Sequence, residues 1–397
     1  MRKKENNKQK KYALVLSGGG FLGAFQVGAL NYISDNWNSI TGLPGKMKFD
    51  LVAGVSVGSI NGAMIAMNRL GLLNELWIDK IGKNGAGEIY TSDFIDTDHK
   101  GDQLKMKFNV DQIRKRLIPE FKIELPLLKK LALIFSKRKR KKIIAEILGD
   151  LGEQLKAGFK KFRSLADNTP LKKKLTEYLK KERIRETDFI CGFVSLDTGK
   201  YHSTLHSEFE ADEQLVNAVL SSSCIPIVFD PLKHLEYVRD AKLNISVNNI
   251  DGGVNNVSPL GDVVEHIAND PESEYEIIIV NCHSGSNLPE DFSDKNIAQI
   301  AARSLYEIAF TEIFNNDVKH FLKINDLVKQ AKAWDNEIVL FDNGIRPFKA
   351  FNCVVIQPHE EMDLGHGLVA NEKLIALRMN HGELMAKLEF KKSILND

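Results

Sequence analysis

The stretch ALVLSGGGFLGAFQVGAL, residues 13–30, joins a short apolar run to a helix-like segment through three consecutive glycines. The apolar and β-branched run Tyr12–Leu16 predicts a buried strand, and the apolar spacing over Ala24–Ile33 predicts a helix. Glycines at the start of a helix leave main-chain N–H groups open to an approaching anion. The stretch therefore predicts an anion-binding turn, for either a nucleotide phosphate or an oxyanion formed during catalysis.

The glycine turn GGGFLG, Gly18–Gly23, fits the G-x-G-x-x-G pattern of dinucleotide sites. Such sites also need an acidic residue about twenty positions onward, at the end of the second strand. That window reads SITGLPG, and Asp50 opens the second strand instead of closing it. The nucleotide interpretation is therefore weak, although it stays open on this motif alone.

A second motif, GVSVG at Gly54–Gly58, lies between the predicted strand Phe49–Ala53 and the predicted helix Val57–Met67. In this context G-x-S-x-G indicates a nucleophile elbow, which holds the Ser56 hydroxyl out at the end of a strand. The alternative is a serine that merely caps the helix. An α/β-hydrolase is excluded, because only one strand and one helix precede the elbow.

A third motif, IDGGVNNVSPLG at Ile250–Gly261, places Asp251 before two glycines. Alone it reads as an ordinary Asp-Gly turn.

The strand and helix alternation of the first 70 residues indicates a parallel sheet. After the helical region, the same α/β pattern continues. The sequence predicts a strand, a turn at Thr198–Lys200 and a second strand, and later strands in YEIIIVNC and NCVVIQP. Helices are predicted near 213–221, 260–268 and 296–331 and at the C-terminus.

The three motifs in this order resemble the patatin-like phospholipase family over residues 12–84 and 165–325. Supporting matches are DNTPLKKKL at 167–175, SSSCIPIVF at 221–229 and VNNVSPLGDVVEHIAND at 254–270. The resemblance implies a three-layer α/β/α patatin-like fold with a mainly parallel central sheet and a helical insertion. It also implies a Ser–Asp dyad that needs no metal and no cofactor.

In that dyad, Ser56 is the nucleophile and Asp251 accepts its proton. The resemblance assigns the oxyanion hole to Gly18, Gly19 and Gly20. The motif-supporting glycines are Gly23, Gly54, Gly58, Gly252 and Gly253. A histidine as the base stays open, because several follow Asp251: His266, His283, His320, His359, His366 and His381. For His266 and His320, on predicted helices, a surface or capping role is favoured.

One position departs from the family pattern. Leu22 stands inside the glycine motif where the family usually has lysine or arginine. A basic side chain there would favour negative charge near the hole. Its absence favours neutral lipid esters over tight engagement of a phosphate headgroup.

The expected function is a serine lipid acyl hydrolase of the phospholipase A or lipase type, acting on fatty acyl esters. Three alternatives remain: an acyltransferase with the same dyad, a catalytically weak lipid-binding protein, and a nucleotide-binding protein. Lipid or phospholipid is the expected partner. Nucleic acid is not expected, because 54 basic residues nearly balance 53 acidic residues.

The organisation expected is a disordered basic tail at 1–11, a catalytic domain at 12–325 and a C-terminal strand and helices at 326–397. A basic helical insertion at about 85–185 interrupts the catalytic domain. Residues 122–163 carry 13 lysines and arginines against 4 acidic residues. They predict either a lid with solvated lysines or a surface that contacts anionic membranes.

Location and redox state follow from the remaining sequence features. The four cysteines lie far apart in apolar runs, which predicts free thiols in a reducing compartment. No signal peptide and no transmembrane run is apparent, so the expected location is cytoplasmic, with the membrane surface as the further option.

Overall fold

An eight-stranded sheet forms the centre of the protein in the computed structural model. The structure describes residues 9–100, 103–117, 149, 152–153, 156, 160, 163–270, 272–295, 299–300, 303–335, 337–342 and 346–396. From edge to edge, the strands are β12 (Asn352–Ile356), β9 (Ser273–Val280), β1 (Gln9–Leu16), β2 (Leu51–Val55), β5 (Asp188–Ser195), β8 (Lys242–Asp251) and β7 (Leu232–Arg239). A further strand, β6 (Lys200–Leu205), pairs with β5. Two short strands, β10 (Phe341–Asp342) and β11 (Arg346–Pro347), form a separate antiparallel pair.

The sheet is parallel in one part and antiparallel in the other. Strands β12, β9, β1, β2 and β5 pair in parallel. Strands β6 and β8 pair antiparallel with β5, and β7 pairs antiparallel with β8. Parallel pairings outnumber antiparallel ones, so the predicted mainly parallel sheet is confirmed. Because parallel strands end at the same edge, the loops after β1, β2 and β9 lie close together.

The helices are α1 (Gly23–Asp35), α2 (Trp37–Thr41), α3 (Val57–Ala66), α4 (Leu70–Asn74), α5 (Val110–Leu117), α6 (Thr169–Tyr178), α7 (Asp212–Ser222), α8 (Leu260–Ala268), α9 (Phe310–Trp334) and α10 (Glu372–Asn396). A π-helical segment, Glu75–Gly82, follows α4. Another, Arg303–Ala309, leads into α9.

Helices cover both faces of the sheet, which gives the three layers predicted from the sequence. Successive side chains of β1 point to opposite faces. Leu14 and Leu16 belong to the core that includes α1, α3 and α10. Ala13 and Val15 belong to the opposite core, which α8 and Phe321 of α9 complete. The fold is therefore a mixed α/β architecture with a buried central sheet.

The N-terminal tail is shorter than predicted. Strand β1 begins at Gln9, so residues 9–11 are not disordered. Lys10 forms an ion pair with Glu276, and Lys11 forms one with Asp270. The pairing of β1 with β9 therefore begins three residues before the apolar run Tyr12–Leu16 from which the strand was predicted.

The region predicted as a helical insertion also contains strands. An antiparallel hairpin joins β3 (Ile95–Lys100) and β4 (Gln103–Phe108). Both strands are rich in charged and polar residues, so the hydrophobic pattern lacked a strand signal. Most of the basic segment 122–163 lies outside the described residues, and its two interpretations stay predictions. No helix in the described ranges is long and apolar enough to cross a membrane.

Candidate active site

Ser56 occupies a sharp turn between β2 and α3. Its φ of 56° and ψ of −128° place a non-glycine residue in a sparsely populated region of backbone space. Such strain costs on the order of 1–3 kcal/mol and clusters at functional sites. A Cβ on Gly58 would overlap the carbonyl group of Leu16, so only glycine lets the first turn of α3 approach the end of β1 this closely. The sequence therefore forms the predicted elbow.

The elbow is fixed by hydrogen bonds to the end of α7 and to the first turn of α3. The Ser56 amide donates to Ser222 Oγ at 2.9 Å, and that hydroxyl donates to the carbonyl of Gly192 at 2.6 Å. Ser59 Oγ donates to the Ser56 carbonyl at 2.6 Å. The contribution of Ser222 was not recognised from the sequence, although it lies in the quoted segment SSSCIPIVF. Buried polar groups of this kind fix one conformation when each has a partner.

The glycine turn lies directly beside Ser56. A Cβ on Gly18 would stand 3.2 Å from Ser56 Cβ and 4.0 Å from Ser56 Oγ. The turn continues through Gly19 and Gly20, whose φ angles are 156° and 56°. Gly23 then begins α1, where a Cβ would overlap the side chain of Val57. The first two motifs of the sequence therefore meet at one edge of the sheet.

The amides of the glycine turn differ in their hydrogen bonds. The Gly18 amide donates to the Val257 carbonyl at 3.0 Å, so it already has an acceptor. Over the described residues, no acceptor is found for the amides of Gly19 and Gly20. Both glycines are partly exposed. Gly19 and Gly20 are therefore the members of the turn whose amides are free to donate to a further group.

Asp251 ends β8 and lies beside Ser56 although almost two hundred residues separate them in the sequence. Its side chain is 1% exposed, and burial raises its pKa to about 7. Hydrogen bonds from the Ser56 hydroxyl and from the Gly253 amide, at 2.7 Å for the latter, lower the pKa in part. Gly252, which follows Asp251 in this turn, packs against the carbonyl of Gly192 in β5. A buried carboxyl with a pKa near neutrality suits proton transfer.

The six histidines that follow Asp251 have different surroundings. Among the described residues, none of the six has a hydrogen bond to Ser56 or Asp251. His266 pairs with Asp188 at 3.0 Å, and His320 is exposed on α9. His283 lies against the glycine turn, with Nε2 at 3.5 Å from a Cβ built on Gly19. Burial lowers its pKa to about 4, and its Nε2 has no hydrogen-bond partner among the described residues. Within the described chain, Asp251 is the ionisable group in contact with Ser56.

An apolar cavity opens from the Ser56 side chain. Gly20 and Ser223 also line it, and its walls are formed mainly by buried apolar side chains, including Ile60, Trp77, Ile81, Leu171 and Phe229. Its volume is about 60 Å³.

Metal chemistry was not expected from the sequence. In the part of the chain that the structure describes, no group of three or more His, Cys, Asp and Glu is placed to hold a metal ion. The reactive groups that the structure brings together are the Ser56 hydroxyl, the Asp251 carboxyl and the main-chain amides of the glycine turn.

Alanine at Gly20 tests whether the shape of the glycine turn matters. Alanine at this position would have to adopt the left-handed backbone that Gly20 has, and its Cβ would overlap the Gly367 carbonyl. We expect Gly20→Ala to lower kcat for a soluble ester on the order of 10²-fold, as for loss of an oxyanion donor. Gly71→Ala is the matched control, because no atom lies within 4 Å of its Cβ. Equal kcat values for the two variants would contradict a role for the turn.

Burial of Asp251 also predicts how stability depends on pH. Its folded-state pKa of about 7 exceeds the unfolded value of 3.8, so the folded protein retains a proton that the unfolded chain loses. This contribution to stability is greatest below pH 4 and falls as the pH rises to about 7. Asparagine does not titrate. We therefore expect Asp251→Asn to melt a few degrees above the wild type at pH 8, with the difference vanishing near pH 4. Thermal melts across pH 4–8 test this, and a constant difference would contradict it.

Solved structures that resemble this chain at low identity include two bacterial proteins. VipD from Legionella pneumophila is 13% identical, with a TM-score of 0.35, and the match covers 99% of this chain and 72% of that chain. ExoU from Pseudomonas aeruginosa, solved in complex with SpcU, is 11% identical with a TM-score of 0.23. That match covers 78% of this chain and about half of the other, at 53%. A search of curated proteins returned no match.

Comparison with protein families gives a direct assignment. The model described as patatin-like phospholipase matches residues 14–264. This range begins in β1, ends in α8 and includes the glycine turn, the elbow and Asp251. It also covers more than half of the 397 residues. The chain therefore belongs to the patatin-like phospholipase family.

Proposed function

We propose that the protein is a serine lipid acyl hydrolase that uses Ser56 as the nucleophile and Asp251 as the proton acceptor. The observation that carries this proposal is the contact of the strained Ser56 with a buried carboxyl whose pKa is near 7. The neighbouring free amides and the apolar cavity add the two other features that ester cleavage by a serine needs.

The first half-reaction forms an acyl-enzyme. Ser56 Oγ attacks the carbonyl carbon of the ester while its proton passes to Asp251. The carbonyl oxygen becomes an oxyanion, which we assign to the amides of Gly19 and Gly20. Gly18 serves instead to leave room beside Ser56, since its amide is bound to Val257. Collapse of the tetrahedral intermediate expels the alcohol, which takes the proton from Asp251.

The second half-reaction returns the enzyme to its starting state. Asp251 accepts a proton from water as the water oxygen attacks the acyl carbonyl. The same amides hold the second oxyanion. Collapse breaks the bond to Ser56 Oγ, which recovers its proton from Asp251 as the fatty acid leaves. A carboxyl with a pKa near 7 can serve both steps, because it exchanges its proton readily at neutral pH.

The cavity supports a fatty acyl group as the substrate portion that lies next to Ser56. Its walls offer apolar contacts, and burial of each CH₂ is worth about 0.8 kcal/mol. Because the cavity is narrow, we propose that the acyl chain widens it on entry. Aromatic and aliphatic side chains of the π-helical segment Glu75–Gly82, such as Trp77, are among those that would have to move.

Product analysis tests this function against its alternatives. The purified protein would be given phosphatidylcholine vesicles or a diacylglycerol emulsion, each with and without a monoacylglycerol as acceptor alcohol. We expect free fatty acid as the product, and none with Ser56→Ala. A new ester formed on the acceptor would instead identify an acyltransferase. Lipid that binds without reacting would identify a lipid-binding protein and contradict the proposal.

A further inference from the structure

A buried arginine lies against the glycine turn. Arg378 on α10 is 0% exposed. Its Nη1 donates to the carbonyl of Phe21 at 3.2 Å, inside the glycine motif GGGFLG. The turn therefore has a cation beside it, but one that comes from the other end of the chain.

Arg378 is held by main-chain carbonyls. It donates from Nε to Leu364 at 2.9 Å, from Nη1 to Val369 at 3.0 Å and from Nη2 to His366 at 3.2 Å, besides the bond to Phe21. Within the described ranges, no carboxylate forms an ion pair with it. Burial lowers its pKa to about 10, so it stays charged at neutral pH. Burying a charge without an ionic partner is costly, and the four carbonyls that accept hydrogen bonds from the guanidinium offset part of that cost.

The segment 364–369, which supplies three of the carbonyls that accept hydrogen bonds from Arg378, also packs against the glycine turn. The Phe21 amide donates to the Gly367 carbonyl at 2.7 Å. The same carbonyl packs so closely on Gly20 that a Cβ there would overlap it. Gly367 and Leu368 line the cavity together with Ser56. Residues 364–369 therefore determine where the amides of the glycine turn can lie.

Helix α10 itself is fixed against α1. The two helices cross where Gly28 meets the Met379 carbonyl and Gly382 meets the Phe25 carbonyl, with no room for a Cβ at either glycine. Since α1 begins directly after the glycine turn, this crossing sets the position of Arg378 relative to the turn. All of these C-terminal residues lie beyond residue 264, where the family match ends.

We propose that Arg378 is a positioning residue, which holds the glycine turn in its oxyanion-binding shape and places a positive charge beside it. It acts through the Phe21 peptide and the segment 364–369 and does not contact the reacting atoms. This proposal rests on the function proposed above. The charge favours negative charge nearby, and the hydrogen bonds keep the amides of Gly19 and Gly20 directed at the oxyanion.

Two variants of Arg378 and one control test the proposal. Arg378→Met removes both the charge and the donors, whereas Arg378→Lys keeps the charge but cannot bridge four carbonyls. Phe390→Ala removes a buried side chain from the far end of α10, where it stacks on Tyr32, and leaves the glycine turn untouched. Each protein would be assayed with p-nitrophenyl butyrate, with kcat normalised to the active sites that a fluorophosphonate labels. Hydrogen exchange of the peptide 17–25 would be measured in parallel.

We expect Arg378→Met to lower kcat on the order of 10- to 100-fold, below the loss for removal of an oxyanion donor, with little change in KM. Arg378→Lys should recover part of this activity. Exchange in the peptide 17–25 should be faster in both variants. Phe390→Ala should lower the melting temperature but keep the wild-type kcat per labelled site and the wild-type exchange of that peptide.

The outcomes separate this proposal from the proposed function. If the wild type hydrolyses the ester and Ser56→Ala does not, a wild-type kcat in Arg378→Met overturns the role of Arg378 alone. If the wild type neither hydrolyses esters nor reacts with the probe, the proposed function fails. The positioning of the turn is then judged by hydrogen exchange, and unchanged exchange of peptide 17–25 in both Arg378 variants overturns it. If Arg378→Met does not fold, Arg378→Lys decides by the same two readouts.

Discussion

Replacing Ser56 with alanine is expected to lower kcat for a soluble acyl ester on the order of 10⁴-fold or more, because the bond-forming atom is removed. The fold should persist, since the side chain of Ser56 accounts for none of the main-chain hydrogen bonds that hold the elbow. The measurement is kcat with p-nitrophenyl butyrate, together with the melting temperature to show that the variant is folded. Retention of more than a hundredth of the activity would contradict the role of Ser56 as nucleophile.

Ser56→Gly provides a matched control for the same position. Glycine adopts a φ of 56° without the penalty of an L side chain, whereas alanine keeps that strain. Both variants should be inactive, but Ser56→Gly should melt above Ser56→Ala by up to a few degrees. This order of melting temperatures would show that the backbone of the elbow is strained. Equal melting temperatures would argue against strain.

Replacing Asp251 with asparagine is expected to lower kcat by about 10²–10⁴-fold, the usual contribution of a general base. The wild-type kcat/KM should rise with pH and level off above about 7, because only the ionised carboxyl accepts the proton of Ser56. The variant should lack this step. A pH profile from 5 to 9 for both proteins is the measurement.

Asp262→Asn controls for the loss of a buried carboxyl in general. Burial raises the pKa of Asp262 to about 6, and its carboxylate accepts a hydrogen bond from Tyr201 at 2.7 Å. It has no contact with Ser56 among those in the described chain. We expect Asp262→Asn to keep the wild-type pH step near 7. If that step disappears in Asp262→Asn and survives in Asp251→Asn, the assignment of the base is wrong.

The strands and helices nearest the site could be predicted from the sequence because their signals are local. The elbow helix, predicted as Val57–Met67, spans Val57–Ala66, and the hairpin of β5 and β6 lies where its turn signal indicated. The hairpin of β7 and β8 was missed. Its turn uses Asp240 and Ala241, both with positive φ, where glycine or asparagine is the usual signal.

The site could be predicted in part. The motifs containing Gly18, Ser56 and Asp251 were found separately, and only the family resemblance indicated that they meet. Which glycine amides are free could not be predicted, because the acceptor of the Gly18 amide is Val257, more than two hundred residues away. Arg378 was missed for the same reason: a buried arginine on a C-terminal helix has no local pattern that relates it to the glycine turn.

Reaction with a fluorophosphonate probe, followed by mapping of the labelled peptide, tests the central claim most directly. The probe reacts with a serine only when its hydroxyl is activated and an oxyanion can be held beside it. We predict a single label on Ser56 and a rate of labelling that rises with pH to about 7. Labelling should be at least 10²-fold slower in Asp251→Asn, which is the lower end of the loss expected for a general base. A label on another serine, or equally fast labelling of Ser56 without the Asp251 carboxyl, would contradict the account.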